Sequence, residues 1–250
     1  MFELNSLLGI FLIGVVASVV GVMVGGGSLL SIPVLIFLGL PPQVAIATDR
    51  FAGLGAAVTA FYKFNAAGKI VWRLVPMLAV ASLAGSLIGA GVLVNIDPES
   101  LTPIVGLLVL VLLPVLFLIP GAGVDSRKVS RRRERAGLAL YFLIQVLAGF
   151  FGAGTGTLIF YTLMGFFGVT IIQVAATQVL PFFVLTLSSL IVFAAHGIID
   201  YRTGLVLMAG TAVGGYLGAH IATRSGDVWV RRLFALVVVI SGARLLFFAN

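Results

Sequence analysis

Two short strings interrupt otherwise apolar sequence: GGGS at Gly25–Ser28 and GTGT at Gly154–Thr157. Glycine breaks a helix through backbone entropy and leaves its N–H uncovered by a side chain. An apolar run resumes after each string, which puts Ser28 or Thr157 near the N-cap of a fresh helix. A helix N-terminus carries partial positive charge and free donors, so it favours an anion. The chemistry on offer is non-covalent capture of a small anion. Gly25, Gly26, Gly27, Gly154, Thr155 and Gly156 supply backbone N–H groups, and Ser28, Thr48, Thr157, Thr177 and Gln178 supply side-chain donors. Close helix packing is the other use of such glycines. Gly85–Gly89 and Gly214–Gly218, with GxxxG spacing inside full-length apolar runs, read as packing residues.

Asp49 and Arg50 follow Thr48 early in an apolar segment, and Gln178 follows Thr177. A charge at the bilayer centre costs roughly 2.5 to 3.5 kcal/mol on insertion scales, so it has to face a cavity or a partner. Pro41, Pro42 and Gln43 mark a turn just upstream, so a position at the membrane interface is equally open to the pair. Gln173 and Gln178 suit substrate oxygens or a bond between helices. His196 and His220 read as interfacial or packed residues near segment ends. The chain has no HExxH, no GxSxG and no GxxxxGK[ST], and it has no cysteine. An enzyme is not expected, nor is a metal or a cofactor.

These residues need elements to hold them, and composition says what kind. Of the 250 residues, 61% are hydrophobic and 9% charged, which excludes a water-soluble domain, whose charged fraction is roughly a quarter. Apolar segments run approximately 5–24, 28–39, 43–62, 74–94, 101–119, 137–153, 157–169, 172–195, 203–223 and 232–249. A span needs about 20 residues, so the reading is an all-α polytopic membrane protein of roughly 8 to 10 membrane segments. Segments 28–39 and 157–169 are short. They either cross obliquely or form re-entrant hairpins. The formal net charge of +7 sits in loops and has a topological cause, so nucleic acid is not an expected partner. The N-terminal segment lacks the basic start and cleavage site of a signal peptide and reads as retained.

The second half shadows the first at one constant offset. Gly25, Gly27 and Leu29 align with Gly154, Gly156 and Leu158; Ala47 and Thr48 with Ala176 and Thr177; Gly68, Ile70 and Arg73 with Gly197, Ile199 and Arg202. Gly85, Gly89 and Ala90 meet Gly214, Gly218 and Ala219 without a gap. Loop charge bias swaps between equivalent loops: Lys63, Lys69 and Arg73 make one basic where its counterpart around Asp200 and Arg202 is not, and Asp97 with Glu99 stand against Arg224, Arg231 and Arg232. Inverted-topology repeats predict that swap. The chain then divides into a first transmembrane repeat, 1–124, a basic cytoplasmic linker, 125–136, and a second repeat, 137–250. The linker carries six Lys and Arg, and both termini fall outside an inner cell membrane.

At these residues the chain resembles the TauE/SafE family of sulfite and organosulfur-anion exporters. The resemblance rests on VGGGSLLSIPVL (Val24–Leu35), PPQVAIAT (Pro41–Thr48) and GKIVWR (Gly68–Arg73). The second half adds QVAAT (Gln173–Thr177), GIIDYR (Gly197–Arg202) and SGARLL (Ser241–Leu246). It implies a transporter of small sulfur-containing anions such as sulfite or sulfoacetate, held near the glycine-rich and Ala-Thr motifs, while the residues alone fit an anion channel or an uptake permease for another small anion equally well. Asp49 and Arg50 depart from the small polar residues that more usually follow the Ala-Thr motif. An ionised Asp49 facing the site would repel an anion unless it is protonated or paired.

Overall fold

A computed structural model describes residues 4–96, 126, 128–152 and 154–248. The apolar segment 101–119, the acidic residues Asp97 and Glu99, and Asp125 and Arg127 of the linker lie outside the described residues. So do the side chains of Arg231 and of 233–248, which carry the SGARLL string.

Every regular element among the described residues is a helix: α1 (Leu4–Val24), α2 (Ser28–Phe37), α3 (Pro42–Ala66), α4 (Val75–Asn95), α5 (Arg131–Phe150), α6 (Thr155–Phe167), α7 (Ile171–Ala195) and α8 (Tyr201–Phe248). Five of them contain stretches long and apolar enough to cross a membrane: Ser6–Val24, Pro42–Ala66, Val75–Asn95, Ile171–Ala195 and Tyr201–Val230. At 1.5 Å per residue, a helix of this kind reaches roughly 30 Å, the thickness of the hydrocarbon core. The apolar helices α2 and α6 have 10 and 13 residues and fall well short of it. Large apolar side chains on the outer faces, such as Val80 at 67% and Ile191 at 71% exposure, are what a lipid solvent permits.

Local chemistry sets the ends. Pro42 occupies the first turn of α3, where its missing N–H is not needed. Thr170 and Gln173 form a reciprocal capping box that starts α7. The Ser130 side chain accepts from the Arg133 amide and starts α5 six residues before the apolar run, so the arginines of the linker wind into the helix. Gly68 and Gly197, at φ 63 and 65, turn the chain out of α3 and α7 at equivalent positions. The helical stretch α8 is broken at Gly226, where φ is 78 and ψ 163.

The helices pack in corresponding pairs. α1 lies along α8 and α4 along α5, while α3 packs on α8 as α4 packs on α7; α3 and α7 meet each other. Glycines make the close pairs possible. A Cβ on Gly214 would collide with the Val15 carbonyl of α1, and one on Gly89 with the Val146 carbonyl of α5. Gly85 and Gly218 are likewise closed in by α5 and α1, the packing role their spacing predicts.

Candidate functional site

The two glycine strings meet. α1 ends where the Gly25 amide makes a last helical bond to the Gly21 carbonyl at 2.9 Å, and Gly25 and Gly26 then take φ values of 78 and 83. Both values lie in the left-handed region that glycine enters without a Cβ penalty. α2 starts at Ser28 with Gly27 at its N-cap position and no side-chain cap. Within the described residues the amides of Gly26, Gly27 and Ser28 donate no hydrogen bond. In the second copy Gly154, at φ 79, precedes α6. The Thr155 and Thr157 amides there are used up, donating to the Gly152 and Gly154 carbonyls at 3.3 and 3.2 Å.

A cavity of about 150 Å³ lies at this meeting point. Of the residues singled out by sequence, Gly25, Gly26, Gly27, Ser28, Asp49, Arg50, Thr155, Gly156 and Gln178 line it. Gly154, Thr48, Thr157 and Thr177 do not. The Thr48 hydroxyl accepts from the Asp200 amide at 3.0 Å, and the Thr177 hydroxyl from the Val71 amide at 2.9 Å. Each threonine therefore holds the loop that follows the other copy's long helix. Thr157 is buried, with its hydroxyl beside Gly26. Gln173 is spent in the capping box. His196 bonds the Val192 carbonyl of its own helix, and His220 stacks on Tyr216, away from the cavity.

Asp49 and Arg50 both line the cavity. Arg50 is 5% exposed. Its guanidinium donates to the Ala148 carbonyl, and its Nε is buried without a partner. To reach Ala148 it crosses Gly152, at φ 79, where a Cβ would collide with the guanidinium. Asp49 accepts from Ser28 Oγ at 2.7 Å and from Ser31 Oγ. Sequence reading did not single out Ser31, Gly152, Tyr141 or Gln145. Tyr141, fully buried, donates to Gln178 Oε1 at 2.9 Å and accepts from Gln145, and Ser82 bonds the same phenol oxygen at 3.0 Å. With its carbonyl taken, Gln178 has its amide N–H groups left for the cavity. A lone Ser or Gln inside an apolar run gives no sign of which neighbour it meets. Gly152 alone had a signal, standing two residues before GTGT.

Five apolar spans packed around a largely apolar cavity, with the Arg50 guanidinium and Asp49 in its lining, define a multi-pass membrane protein. The family model Sulfite exporter TauE/SafE matches residues 10–245, and the chain belongs to that family of membrane transporters. The chain is 26% identical over 238 residues to a probable membrane transporter protein of Haemophilus influenzae, covering 95% of this chain and 93% of that one. It is 27% identical over 250 residues to the probable membrane transporter protein YfcA of Escherichia coli, covering 96% and 90%. To YjnA of Bacillus subtilis, also a probable membrane transporter protein, it is 25% identical over 258 residues, covering 96% and 98%. No solved structure matches the chain.

Proposed function

We propose that the chain is a secondary transporter that exports a small sulfur-containing anion, sulfite or an organosulfonate such as sulfoacetate. The anion binds in the cavity where the two helix breaks meet, between inverted repeats. One observation carries the reading: the buried Arg50 guanidinium, with an unpaired N–H, shares a cavity with the free amides that open α2. A fixed positive group and unpaired donors in a site of low polarity are costly when empty and favourable when an anion completes them.

Size supports the class of guest. A cavity of about 150 Å³ accepts a molecule as large as benzene, so this one fits sulfite or a two-carbon sulfonate but not a nucleotide. Inverted repeats are supported by the swap of loop charge and by the matching pairs of packed helices. The reciprocal bonds of Thr48 and Thr177 to each other's loops also fit that symmetry. On this reading the linker 125–136 is cytoplasmic, the termini lie outside the inner membrane, and α2 and α6 are half-spans whose N-terminal ends point at the anion. Gly154 and Thr157 back the second break, while Gly25, Gly26, Gly27, Ser28, Thr155, Gly156 and Gln178 line the site.

The test is a titration of purified protein with sulfite, thiosulfate, sulfoacetate, taurine and simple carboxylates, followed by counterflow in proteoliposomes. Saturable binding of a sulfur anion, with uptake of labelled anion stimulated by unlabelled anion inside, is expected. Binding of none of them, or flux without trans-stimulation, contradicts a carrier for this class.

A further inference from the structure

Asp49 is an acidic group in a cavity read as an anion site, and its partners are hydroxyls rather than cations. Ser28 Oγ donates to Oδ2 at 2.7 Å, and Ser31 Oγ donates to Oδ1. Arg50 turns its guanidinium to the Ala148 carbonyl, and no ion pair forms on Asp49 among the described residues. Among the described residues, the helices packed on α3 bring no second charge into the cavity. α1, α2 and α7 contain no Asp, Glu, Lys, Arg, His or Tyr. Arg202, His220 and Arg224 of α8 lie off the cavity lining, as do Tyr141 of α5 and Tyr161 of α6.

A hydroxyl both donates and accepts, so two serines satisfy either state of a carboxyl by rotating one O–H. A Lys or Arg partner would hold it ionised. With Asp49 ionised, its charge and that of Arg50 cancel within one cavity, and an anion brings an uncompensated negative charge. With Asp49 protonated, the Arg50 charge stands alone and an anion neutralises it. We infer that Asp49 is the site of a proton carried together with the anion, one for each substrate. The inference rests on the reading of the cavity as an anion site. The proton comes from water on the side where the anion enters, forms an O–H bond at an Asp49 oxygen, and returns to water on the far side when the anion leaves. A monovalent anion then crosses with no net charge, and a divalent one with one net negative charge.

The test uses the full-length protein in weakly buffered detergent solution, titrated with methanesulfonate, sulfoacetate and thiosulfate. A pH indicator reads proton uptake and calorimetry reads affinity, from acid to mildly alkaline pH. Above the carboxyl's titration, uptake of one proton per bound anion is expected, with affinity falling about tenfold per pH unit; below it, binding should take up no proton. Asp49→Asn should take up no proton and lose the pH dependence, binding more tightly than the parent at alkaline pH. Ser31→Ala keeps the carboxyl and should keep the proton uptake at a displaced midpoint. Anion binding without proton uptake in the parent at any pH up to mildly alkaline, uptake unchanged in Asp49→Asn, or a sodium requirement in place of a proton would overturn the coupling and leave the anion site standing. Binding of none of the three anions would overturn both.

Discussion

Gly25 and Gly156 pass each other where the two helix breaks meet, with no room for a side chain on either. A Cβ on Gly25 would sit 2.5 Å from the Gly156 carbonyl carbon, and one on Gly156 would sit 2.8 Å from the Gly26 amide nitrogen. Gly25→Ala has two costs, about 1–2 kcal/mol for a left-handed backbone and about 1–3 kcal/mol for overpacking. Gly39→Ala has only the first, because φ is 96 there but open space surrounds it. Thermal unfolding in detergent should rank Gly25→Ala as clearly less stable than Gly39→Ala.

Arg50 keeps its place because Gly152 gives it a path to Ala148. Gly152→Ala should therefore weaken anion binding nearly as much as Arg50→Gln, at least tenfold, or about 1.4 kcal/mol. Arg50→Lys should bind weakly as well, since an ammonium is a point charge without the guanidinium's fork of donors. Calorimetric titration of the three variants with sulfoacetate measures this. Wild-type affinity in Gly152→Ala would show that the guanidinium does not need that path.

Thr48 and Thr177 act on stability. Replacing either with Val leaves a loop amide, that of Asp200 or of Val71, without its acceptor. An unsatisfied amide costs about 1–3 kcal/mol. The two bonds hold different loops, so the double variant should lose the sum of the single losses. Unfolding midpoints of the three proteins give the comparison.

Outside the membrane segments, Arg73 and Glu134 pair at 2.8 Å. The hydrogen bond from Arg73 holds the Glu134 carboxyl below its ordinary value, and the same bond pushes Arg73 up. A carboxyl whose pKa is lowered on folding stabilises above its unfolded value and loses that contribution as pH falls through the folded one. Because the pair is exposed, Glu134→Gln should cost no more than about 1 kcal/mol at neutral pH. The difference should vanish in acid and shrink in high salt, as melts at two pH values and two ionic strengths would reveal.

Apolar periodicity placed the described helices closely: the run 172–195 is α7 at Ile171–Ala195, and 74–94 is α4 at Val75–Asn95. Two boundaries moved far: the start of α5, because the Ser130 cap recruits the arginines into the helix, and the gap expected between 223 and 232, which is helical apart from the break at Gly226. The internal match gave the glycine breaks, since a helix interruption appears in sequence as a local change of residue type. What it could not give was the direction of a side chain. Duplication drew attention equally to Gly25 and Thr48, yet one lines the cavity and the other holds a distant loop. Ser31 and Gln145 were invisible because their meaning comes from Asp49 and Tyr141, which reach them only in three dimensions.

The central claim is that one anion sits where the two breaks converge. Selenite replaces the sulfur of sulfite with an anomalous scatterer, and the chain has no cysteine for it to oxidise. Crystals soaked in selenite should show an anomalous peak between Gly25–Gly27 and Thr155–Gly156, within hydrogen-bond reach of Arg50 and absent in Arg50→Gln. A peak elsewhere in the molecule with this cavity empty would contradict the account.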